Sequence, residues 1–195
     1  MRILGLDLSL TSTGYVLLDD QVLEDVVWHG CVGSKDLRDV ERLQMFDTWI
    51  RDAMRPRVVD HVAIEGYSYG SPAGQTRAFG LGELGGVIKL AVHEAGIPMH
   101  VIAANTWKKQ LCGKGGLKKD QVRLELFKRF GVEFASQDTL DAWAVAACLR
   151  RQLLGLDKPE PKVRKRKTTP LLDGISIGNP AMEAAHADAS HASLR

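Results

Sequence analysis

The sequence predicts an α/β fold in which helices pack on a mixed sheet of five strands. Its N-terminal part contains three strand-like apolar segments that are joined by short turns, which is typical of an antiparallel meander. Beyond residue 57, two further strand-like segments alternate with helix-like ones. Such a combination requires both antiparallel and parallel strand pairs. The chain has 195 residues, of which 45% are hydrophobic, and this is enough for one sizeable core.

The first three elements are all predicted to be strands. Residues 2–8 (RILGLDL) are almost wholly apolar, which indicates a buried strand. Residues 14–18 (GYVLL) form the second strand, and the acidic pair at 19–20 marks the turn after it. Residues 22–32, around VVWHGCV, form the third. Because the connections are short, we expect the three strands to be antiparallel neighbours.

Helices and strands then alternate. From residue 37 to residue 54, apolar residues recur every three or four positions, which predicts a helix that Pro56 ends. Residues 58–65 (VVDHVAIE) form the fourth strand. After a Gly- and Ser-containing loop, the same periodicity predicts a second helix over 78–95, and residues 99–104 (MHVIAA) form the fifth strand.

The remaining part of the domain is predicted to be mostly helical. Residues 105–116 are rich in Gly and Lys, and we expect an irregular segment there. Residues 118–130 place their apolar side chains on one face of a helix, and an alanine-rich helix follows at about 138–153. The predicted order of elements is therefore βββαβαβαα.

The composition changes after residue 156. Residues 157–195 contain few large apolar side chains, which favours a disordered tail behind a folded domain of residues 1–156. The 26 Lys and Arg residues exceed the 24 Asp and Glu residues only slightly, so the net charge does not indicate the class of partner. The tail nevertheless concentrates bases at Lys158, Lys162, Arg164, Lys165, Arg166 and Lys167. We expect this basic cluster to contact the phosphates of a nucleic-acid backbone, the alternative being a tail that only increases solubility.

Cysteine usage and hydropathy bear on the cellular compartment. Cys31, Cys112 and Cys148 are widely spaced and form no CxxC pair, which predicts reduced thiols and no zinc site. The N-terminus lacks the basic and apolar stretches of a signal peptide, and no apolar run is long enough to span a bilayer. We therefore expect a cytoplasmic protein that has no membrane partner.

Four acidic residues stand where predicted strands end or where the last helix begins. Asp7 lies near the end of the first strand, and Glu65 ends the fourth. Asp138 and Asp141 begin the last helix and are three residues apart, so they share one face. The first and fourth strands are often neighbours in a mixed sheet, which would bring Asp7 and Glu65 together. Helix packing could then complete a cluster of four carboxylates.

A cluster of carboxylates is stable in its ionised form only with cations, because like charges raise one another's pKa values. Mg²⁺ suits carboxylate and water ligands, and two ions roughly 3.5–4 Å apart can activate water for phosphodiester hydrolysis. Each acid also has a simpler interpretation. Asp138 and Asp141 could cap a helix, and Glu65 could be a solvated strand end. Asp7 is harder to explain in this way, because the run around it is apolar.

Four segments of the chain resemble a known family. They are LGLDLSLTSTGYVLL, VAIEGYSYG, LGELGGVIKLAVHEAGIPMHVIAANTWKKQLCGKGGLKKDQV and DTLDAWAVA. In this order and at this spacing they resemble the RuvC-type Holliday junction resolvases of the RNase H-like superfamily, and they look closest to phage-encoded relatives. The resemblance covers about residues 2–153.

The resemblance implies an RNase H-like sheet with strand order 3-2-1-4-5 and a homodimer that acts on a four-way DNA junction. Asp7, Glu65, Asp138 and Asp141 match the family's catalytic acids, which would bind two Mg²⁺ or Mn²⁺ ions. Symmetric hydrolysis would leave 5′-phosphate and 3′-hydroxyl ends, and no nucleotide cofactor is implied. A phage-encoded protein would work in the host cytoplasm.

Basic residues belong to the implied site as well. Lys108 and Lys119 match lysines that the family uses in catalysis or DNA contact, and Lys118 is the alternative to Lys119. A lysine can offset the charge that develops on a phosphate. Lys109 and Lys114 would add contacts with the DNA backbone. The alternative is that these lysines only solvate a loop.

Aromatic residues mark two departures from the family's pattern. Related resolvases stack an aromatic residue on an unpaired base, and here Tyr67 and Tyr69 lie on either side of that position. Either tyrosine could stack on a base or pack under its loop. Some relatives carry a histidine near the last acid, where this chain has Trp143. We expect Trp143 to lie in the core and the site to be all-carboxylate.

Three other functions compete with resolution of junctions. GLDLSLTSTG looks like the first phosphate loop of sugar kinases and Hsp70-type ATPases, but 195 residues leave no room for their second domain, and no second phosphate motif appears. A junction-binding protein without nuclease activity would not require all four acids. An endonuclease that also cuts forks and flaps shares every feature described above and stays open.

Overall fold

The computed structural model describes residues 1–19, 26–55, 58–66 and 72–156, with only the backbone of residues 72–77. The strands are β1 (Arg2–Asp7), β2 (Thr13–Asp19), β3 (Val26–Val32), β4 (His61–Glu65) and β5 (Met99–Ile102). The helices are α1 (Asp39–Met54), α2 (Pro72–Glu94), α3 (Ala104–Cys112), α4 (Lys119–Phe130) and α5 (Gln137–Leu153). The tail that the sequence places at 157–195 lies outside the described residues.

The five strands form one mixed sheet in the order β3-β2-β1-β4-β5. β1 is antiparallel to β2, and β2 is antiparallel to β3. β4 is parallel to both β1 and β5. The predicted fold class, strand order and antiparallel meander are thus confirmed. Because Leu6 pairs with Ile64, the next residues, Asp7 and Glu65, emerge together at one edge of the sheet.

The structure contains one helix that was not predicted, and several element boundaries differ: β4 begins only at His61, and β5 ends already at Ile102. The segment expected to be irregular contains α3, whose buried face is Trp107, Leu111 and Cys112. The abundance of Gly and Lys in residues 105–116 suggested an irregular segment, but the glycines begin only at Gly113. Gly113 ends α3 in a left-handed conformation at φ +80°. α2 begins at Pro72, earlier than predicted, and proline is favoured at the first position of a helix.

Helices cover both faces of the sheet and bury two hydrophobic clusters. On one face, α5 lies across β1, β2 and β4, and its residues 142–149 are all buried. α3 and α4 pack against α5 on this side. On the other face, α1 and α2 cover a second cluster that includes Leu4, Phe46 and Ile88. The central strands are therefore buried on both sides, which explains their apolar sequences.

Two glycines let the backbone of α5 approach the sheet closely. A Cβ atom on Gly5 would overlap the carbonyl oxygen of Ala142 and lie 2.8 Å from the Ala146 Cβ. A Cβ atom on Gly14 would overlap the carbonyl oxygen of Asp138. Only glycine fits at these positions while α5 keeps its place. Since Asp138 and Asp141 lie on α5, this close packing also positions both acids.

The Gly5→Ala variant is expected to lose about 3 kcal/mol of unfolding free energy, because the new methyl group must displace helix backbone. Gly86→Ala on α2 is a matched control, since its methyl group would meet nothing within 4 Å. It should change stability by less than about 1 kcal/mol. Urea unfolding of both variants measures the difference, and equal stabilities would contradict the close packing of α5.

The three cysteines carry free thiols, with Cys112 and Cys148 buried and Cys31 exposed. Burial raises the pKa of Cys112 to about 11 and that of Cys148 to about 12. Both buried thiols are therefore protonated at neutral pH, which suits core residues. Within the part of the chain that the structure describes, no helix is long and apolar enough to cross a membrane.

Candidate metal centre

Three of the predicted acids meet at the edge of the sheet. One carboxylate oxygen from each of Asp7, Glu65 and Asp141 lies within 4.8 Å of the others. Asp7 and Glu65 end the parallel neighbours β1 and β4, and Asp141 lies near the start of α5. All three side chains are half-buried. We call these three residues the carboxylate cluster.

Asp138 lies beside the carboxylate cluster but is not one of its three members. Its Oδ2 atom accepts a hydrogen bond of 2.8 Å from the Ser12 hydroxyl. Asp138 is still close enough for its charge to raise the pKa values of Asp7 and Asp141. The four acids thus share one region, with carboxylate oxygens of three within 4.8 Å of one another and the fourth acid directed toward the β1–β2 turn.

Helix capping does not explain the two acids of α5. Ser136 is the N-cap residue, and its hydroxyl accepts a hydrogen bond of 3.2 Å from the backbone N–H of Asp138. The side chains of Asp138 and Asp141 are therefore not required as caps. Asp138 still lies in the first turn, where a negative charge interacts favourably with the helix dipole.

Burial and mutual repulsion disfavour the ionised form of the carboxylate cluster. Burial, followed by the charges of Glu65 and Asp141, raises the pKa of Asp7 from 3.8 to about 8. Burial is also the largest cause for Glu65, whose pKa rises from 4.5 to about 7, and it raises the pKa of Asp141. At neutral pH the cluster thus retains protons that a cation could replace.

The carboxylate cluster opens into a cavity of about 220 Å³. The cavity is lined by Asp7, Glu65, Trp107, Lys108, Lys119, Val122, Gln137 and Asp141. A larger cavity of about 510 Å³ lies between the ends of α1 and α2, where Arg51, Val59 and Ile97 are among the lining residues. Because the described residues place no cluster of metal-ligating side chains in that cavity, chemistry rather than size identifies the candidate site.

The predicted lysines divide into two groups. Lys108 on α3 and Lys119 on α4 line the cavity, and their charges lower the pKa values of Glu65 and Asp141. Lys109, Lys114 and Lys118 are exposed and do not line it. Of the two alternatives considered from the sequence, Lys119 rather than Lys118 reaches the carboxylate cluster. The exposed lysines lie on the same α3–α4 segment.

Three neutral residues near the acids were missed in the sequence. The Gln137 side-chain amide donates a hydrogen bond of 2.9 Å to Asp141 Oδ1. Ser12 binds Asp138, and the buried Trp107 lines the cavity. Ser12 and Trp107 come near an acid only when α5 and α3 pack on the sheet, whereas Gln137 lies one helical turn before Asp141 on α5 in a polar stretch that gave no distinct signal. The neighbouring Lys108 was the only sequence signal near Trp107.

The remaining predicted residues are located as follows. Trp143 is 1% exposed and packs against Phe130 with ring centroids 5.5 Å apart, which confirms it as a core residue. Tyr67 and Tyr69 lie outside the described residues. The tail bases, including Arg164, Lys165, Arg166 and Lys167, lie outside them as well. Their expected contacts with DNA stay predictions.

The donor set of the carboxylate cluster fits a divalent metal ion. Three carboxylates supply oxygen ligands, which hard cations such as Mg²⁺ and Mn²⁺ prefer. Two of the acids end adjacent strands and the third lies on a tightly packed helix, so their positions are well defined. A cation would also relieve the repulsion that raises the pKa values of these acids.

Comparison with known proteins identifies the family. Residues 3–149 match the family described as crossover junction endodeoxyribonuclease RuvC. The RuvC protein of Acidiphilium cryptum is 32% identical over 151 residues, which cover 75% of this chain and 89% of that protein. The RuvC protein of Paracoccus denitrificans is 41% identical over 76 residues, or 38% of this chain and 46% of that protein.

Solved structures agree on the fold. Thermus thermophilus RuvC matches with a TM-score of 0.68 at 20% identity, covering 80% of this chain and 98% of that one. Its complex with a Holliday junction substrate matches with the same TM-score at 21% identity, covering 80% and 97%. The yeast mitochondrial Holliday junction resolvase has a TM-score of 0.54 at 15% identity, covering 80% of each chain. By the match of its sequence over residues 3–149, the chain belongs to the RuvC family of crossover junction endodeoxyribonucleases.

Proposed function

We propose that this protein resolves four-way DNA junctions by metal-dependent hydrolysis at the carboxylate cluster. The proposal rests on one observation: carboxylate oxygens of Asp7, Glu65 and Asp141 lie within 4.8 Å of one another, in a cavity that two lysines also line. Membership in the RuvC family supports the choice of substrate. The Thermus thermophilus RuvC structure with a Holliday junction supports it as well, because that protein has the same fold.

The proposed cofactor is Mg²⁺ or Mn²⁺, with two ions in each site. Asp7 is the proposed shared ligand, because its pKa is the most strongly perturbed of the three and is raised by the charges of both Glu65 and Asp141. Glu65 and Asp141 would complete the set, with Asp138 joining from its position beside the cluster. When bound, such ions lower the pKa of a water molecule and stabilise the leaving oxygen of a phosphodiester.

The chain's own residues have distinct proposed roles. Gln137 holds Asp141 through its hydrogen bond of 2.9 Å, which restricts that carboxylate to one orientation. Lys108 and Lys119 bring positive charge to the cavity, where they would offset charge on the scissile phosphate. Both lysines would also help to retain the substrate, since the acids alone would repel a phosphate backbone.

Contacts outside the cavity would hold the rest of the junction. Lys109, Lys114 and Lys118 are exposed on the α3–α4 segment next to the cavity, where they can contact the DNA backbone. Tyr67 or Tyr69 is proposed to stack on a base at the crossover. A homodimer would present two such sites to the two strands that are cut. The nuclease domain is proposed to span residues 1–156. The basic tail is proposed to increase the affinity for DNA regardless of the DNA sequence.

A panel of labelled substrates tests the proposed function. Four-way junctions, forks, flap substrates and linear duplexes are incubated with the protein and Mg²⁺, and the ends of the products are mapped. We expect paired nicks in the four-way junction that leave 5′-phosphates. Equal cleavage of forks and flaps would favour a broader branched-DNA endonuclease, and binding without cleavage would favour a junction-binding protein. A truncated chain of residues 1–156 should cleave but bind with a weaker dependence on salt.

A further inference from the structure

The cavity at the carboxylate cluster contains a buried polar group that the roles above do not use. Trp107 lies on α3, is 1% exposed and lines the cavity together with Glu65. Its indole Nε1 is fully buried and has no hydrogen-bond partner among the described residues. A buried N–H group without a partner costs about 1–3 kcal/mol, so its retention beside a cluster of acids calls for a function.

The Glu65 carboxylate, which lines the same cavity, is the acceptor available to this N–H group. Trp107 lowers the pKa of Glu65 as a hydrogen-bond donor does, although the two groups do not meet in the geometry of a formed hydrogen bond. A hydrogen bond between the two groups would be charge-assisted, because Glu65 binds a cation in its ionised form.

Trp107 also has a contact with a lysine of the site. The Nζ atom of Lys108 lies 5.4 Å from the centre of the Trp107 ring, within the range of a cation–π interaction. The Trp107 indole therefore interacts with two charged residues of the cavity, with Glu65 through its N–H group and with Lys108 through its ring. Gln137 is comparable, since its side-chain amide donates to Asp141, another acid of the cavity.

We propose that Trp107 is a positioning residue of the metal centre: its indole N–H donates to the Glu65 carboxylate and fixes the oxygen that Glu65 presents to a cation. This inference rests on the proposed metal-dependent function and assigns to it a residue outside the acids and lysines. With Trp107 donating to Glu65 and Gln137 donating to Asp141, two of the three acids in the carboxylate cluster would each have a neutral N–H donor. Such partners of metal ligands restrict ligand orientation, and their loss typically weakens metal affinity by about 10- to 100-fold.

Trp143 makes a matched control available. It is also 1% exposed, belongs to the same hydrophobic cluster and has a buried Nε1 without a hydrogen-bond partner among the described residues. It does not line the cavity, however. Trp107→Phe and Trp143→Phe thus remove the same atoms from equally buried positions. Only the first removes an N–H group next to a carboxylate of the cluster.

The test measures Mn²⁺ binding to the full chain by the electron paramagnetic resonance signal of unbound Mn²⁺. Trp107→Phe is expected to weaken Mn²⁺ binding about tenfold, and Trp143→Phe should change it by less than about twofold. The Mn²⁺ concentration for half-maximal cleavage should rise in parallel, while saturating Mn²⁺ restores most of the cleavage rate. Equal Mn²⁺ affinities for the two variants would overturn the role of Trp107.

A second variant covers the possibility that Trp107→Phe does not fold. Incorporating benzothienylalanine at position 107 replaces the N–H group with sulfur and keeps the size of the ring. It should weaken Mn²⁺ binding by a similar factor, and unchanged binding would overturn the proposal. If the wild-type protein bound no Mn²⁺, the proposed metal centre itself would fail. That outcome is distinct from Mn²⁺ binding that is insensitive to position 107.

Discussion

The Asp7→Asn variant is expected to bind a four-way junction as the wild-type protein does while its cleavage rate falls by about 1000-fold or more. Asp7 lies at the end of β1 with a carboxylate oxygen within 4.8 Å of those of both other acids of the carboxylate cluster, so an amide there removes the proposed shared ligand. Loss of about 4 kcal/mol of transition-state stabilisation by metal ions corresponds to a rate reduction of this size. Gel-shift binding in EDTA and single-turnover cleavage in Mg²⁺ measure the two effects separately.

Asp120→Asn is the control for the loss of a negative charge near the site. Asp120 is an exposed acid in the first turn of α4, next to Lys119, and it is not part of the carboxylate cluster. Its substitution should change the cleavage rate by less than about threefold, as is usual for an exposed charge. Cleavage by Asp7→Asn at a normal rate would show that the catalytic site lies elsewhere.

The metal-free protein is expected to lose stability as pH rises from about 5 to about 8. The pKa of Asp7 is 3.8 in the unfolded chain and about 8 in the folded protein, and that of Glu65 rises from 4.5 to about 7 on folding. Between these values the folded protein keeps protons that the unfolded chain has released, so a rise in pH favours unfolding. Each group contributes up to about 1.4 kcal/mol per pH unit within its window.

Saturating Mg²⁺ or Mn²⁺ should abolish this loss, because a cation binds the deprotonated carboxylates of the folded protein. Asp7→Asn in EDTA should lose less stability over the same pH range, since one titrating acid is gone and the repulsion on the other two is smaller. Urea unfolding from pH 5 to pH 8.5, with EDTA or with metal, gives the comparison. Parallel pH profiles for the wild-type protein and Asp7→Asn would contradict the raised pKa of Asp7.

Much of the fold could be predicted because its strands and helices have distinct periodicities. The central strands are buried on both faces, so RILGLDL and HVAIE are visible as apolar runs. α3 was missed because the lysines and glycines around it outnumber its buried face of Trp107, Leu111 and Cys112. Composition averaged over such a segment conceals a short helix whose apolar side chains point toward one neighbour.

The acids of the site could be predicted for a related reason. A carboxylate at the end of an apolar strand is unfavourable unless something binds it, so Asp7 stands out within its own segment. The neutral residues near the acids have no such signal. Gln137 precedes Asp138 in a polar stretch, and Ser12 lies in a turn rich in hydroxyl groups, where both residues are ordinary.

The fold class and the four candidate acids could be predicted from the sequence, because apolar runs and the charges next to them are local features, whereas the strand order was implied by the family resemblance. Which acids lie close together, and which lysines line their cavity, depends instead on how the helices pack on the sheet. This packing brought Asp7, Glu65 and Asp141 together, placed Asp138 against Ser12 and selected Lys119 over Lys118. These outcomes depend on how closely α5 approaches Gly5 and Gly14 and on the direction in which α3 and α4 pack. Distances between elements arise from packing, and no single segment of the sequence contains them.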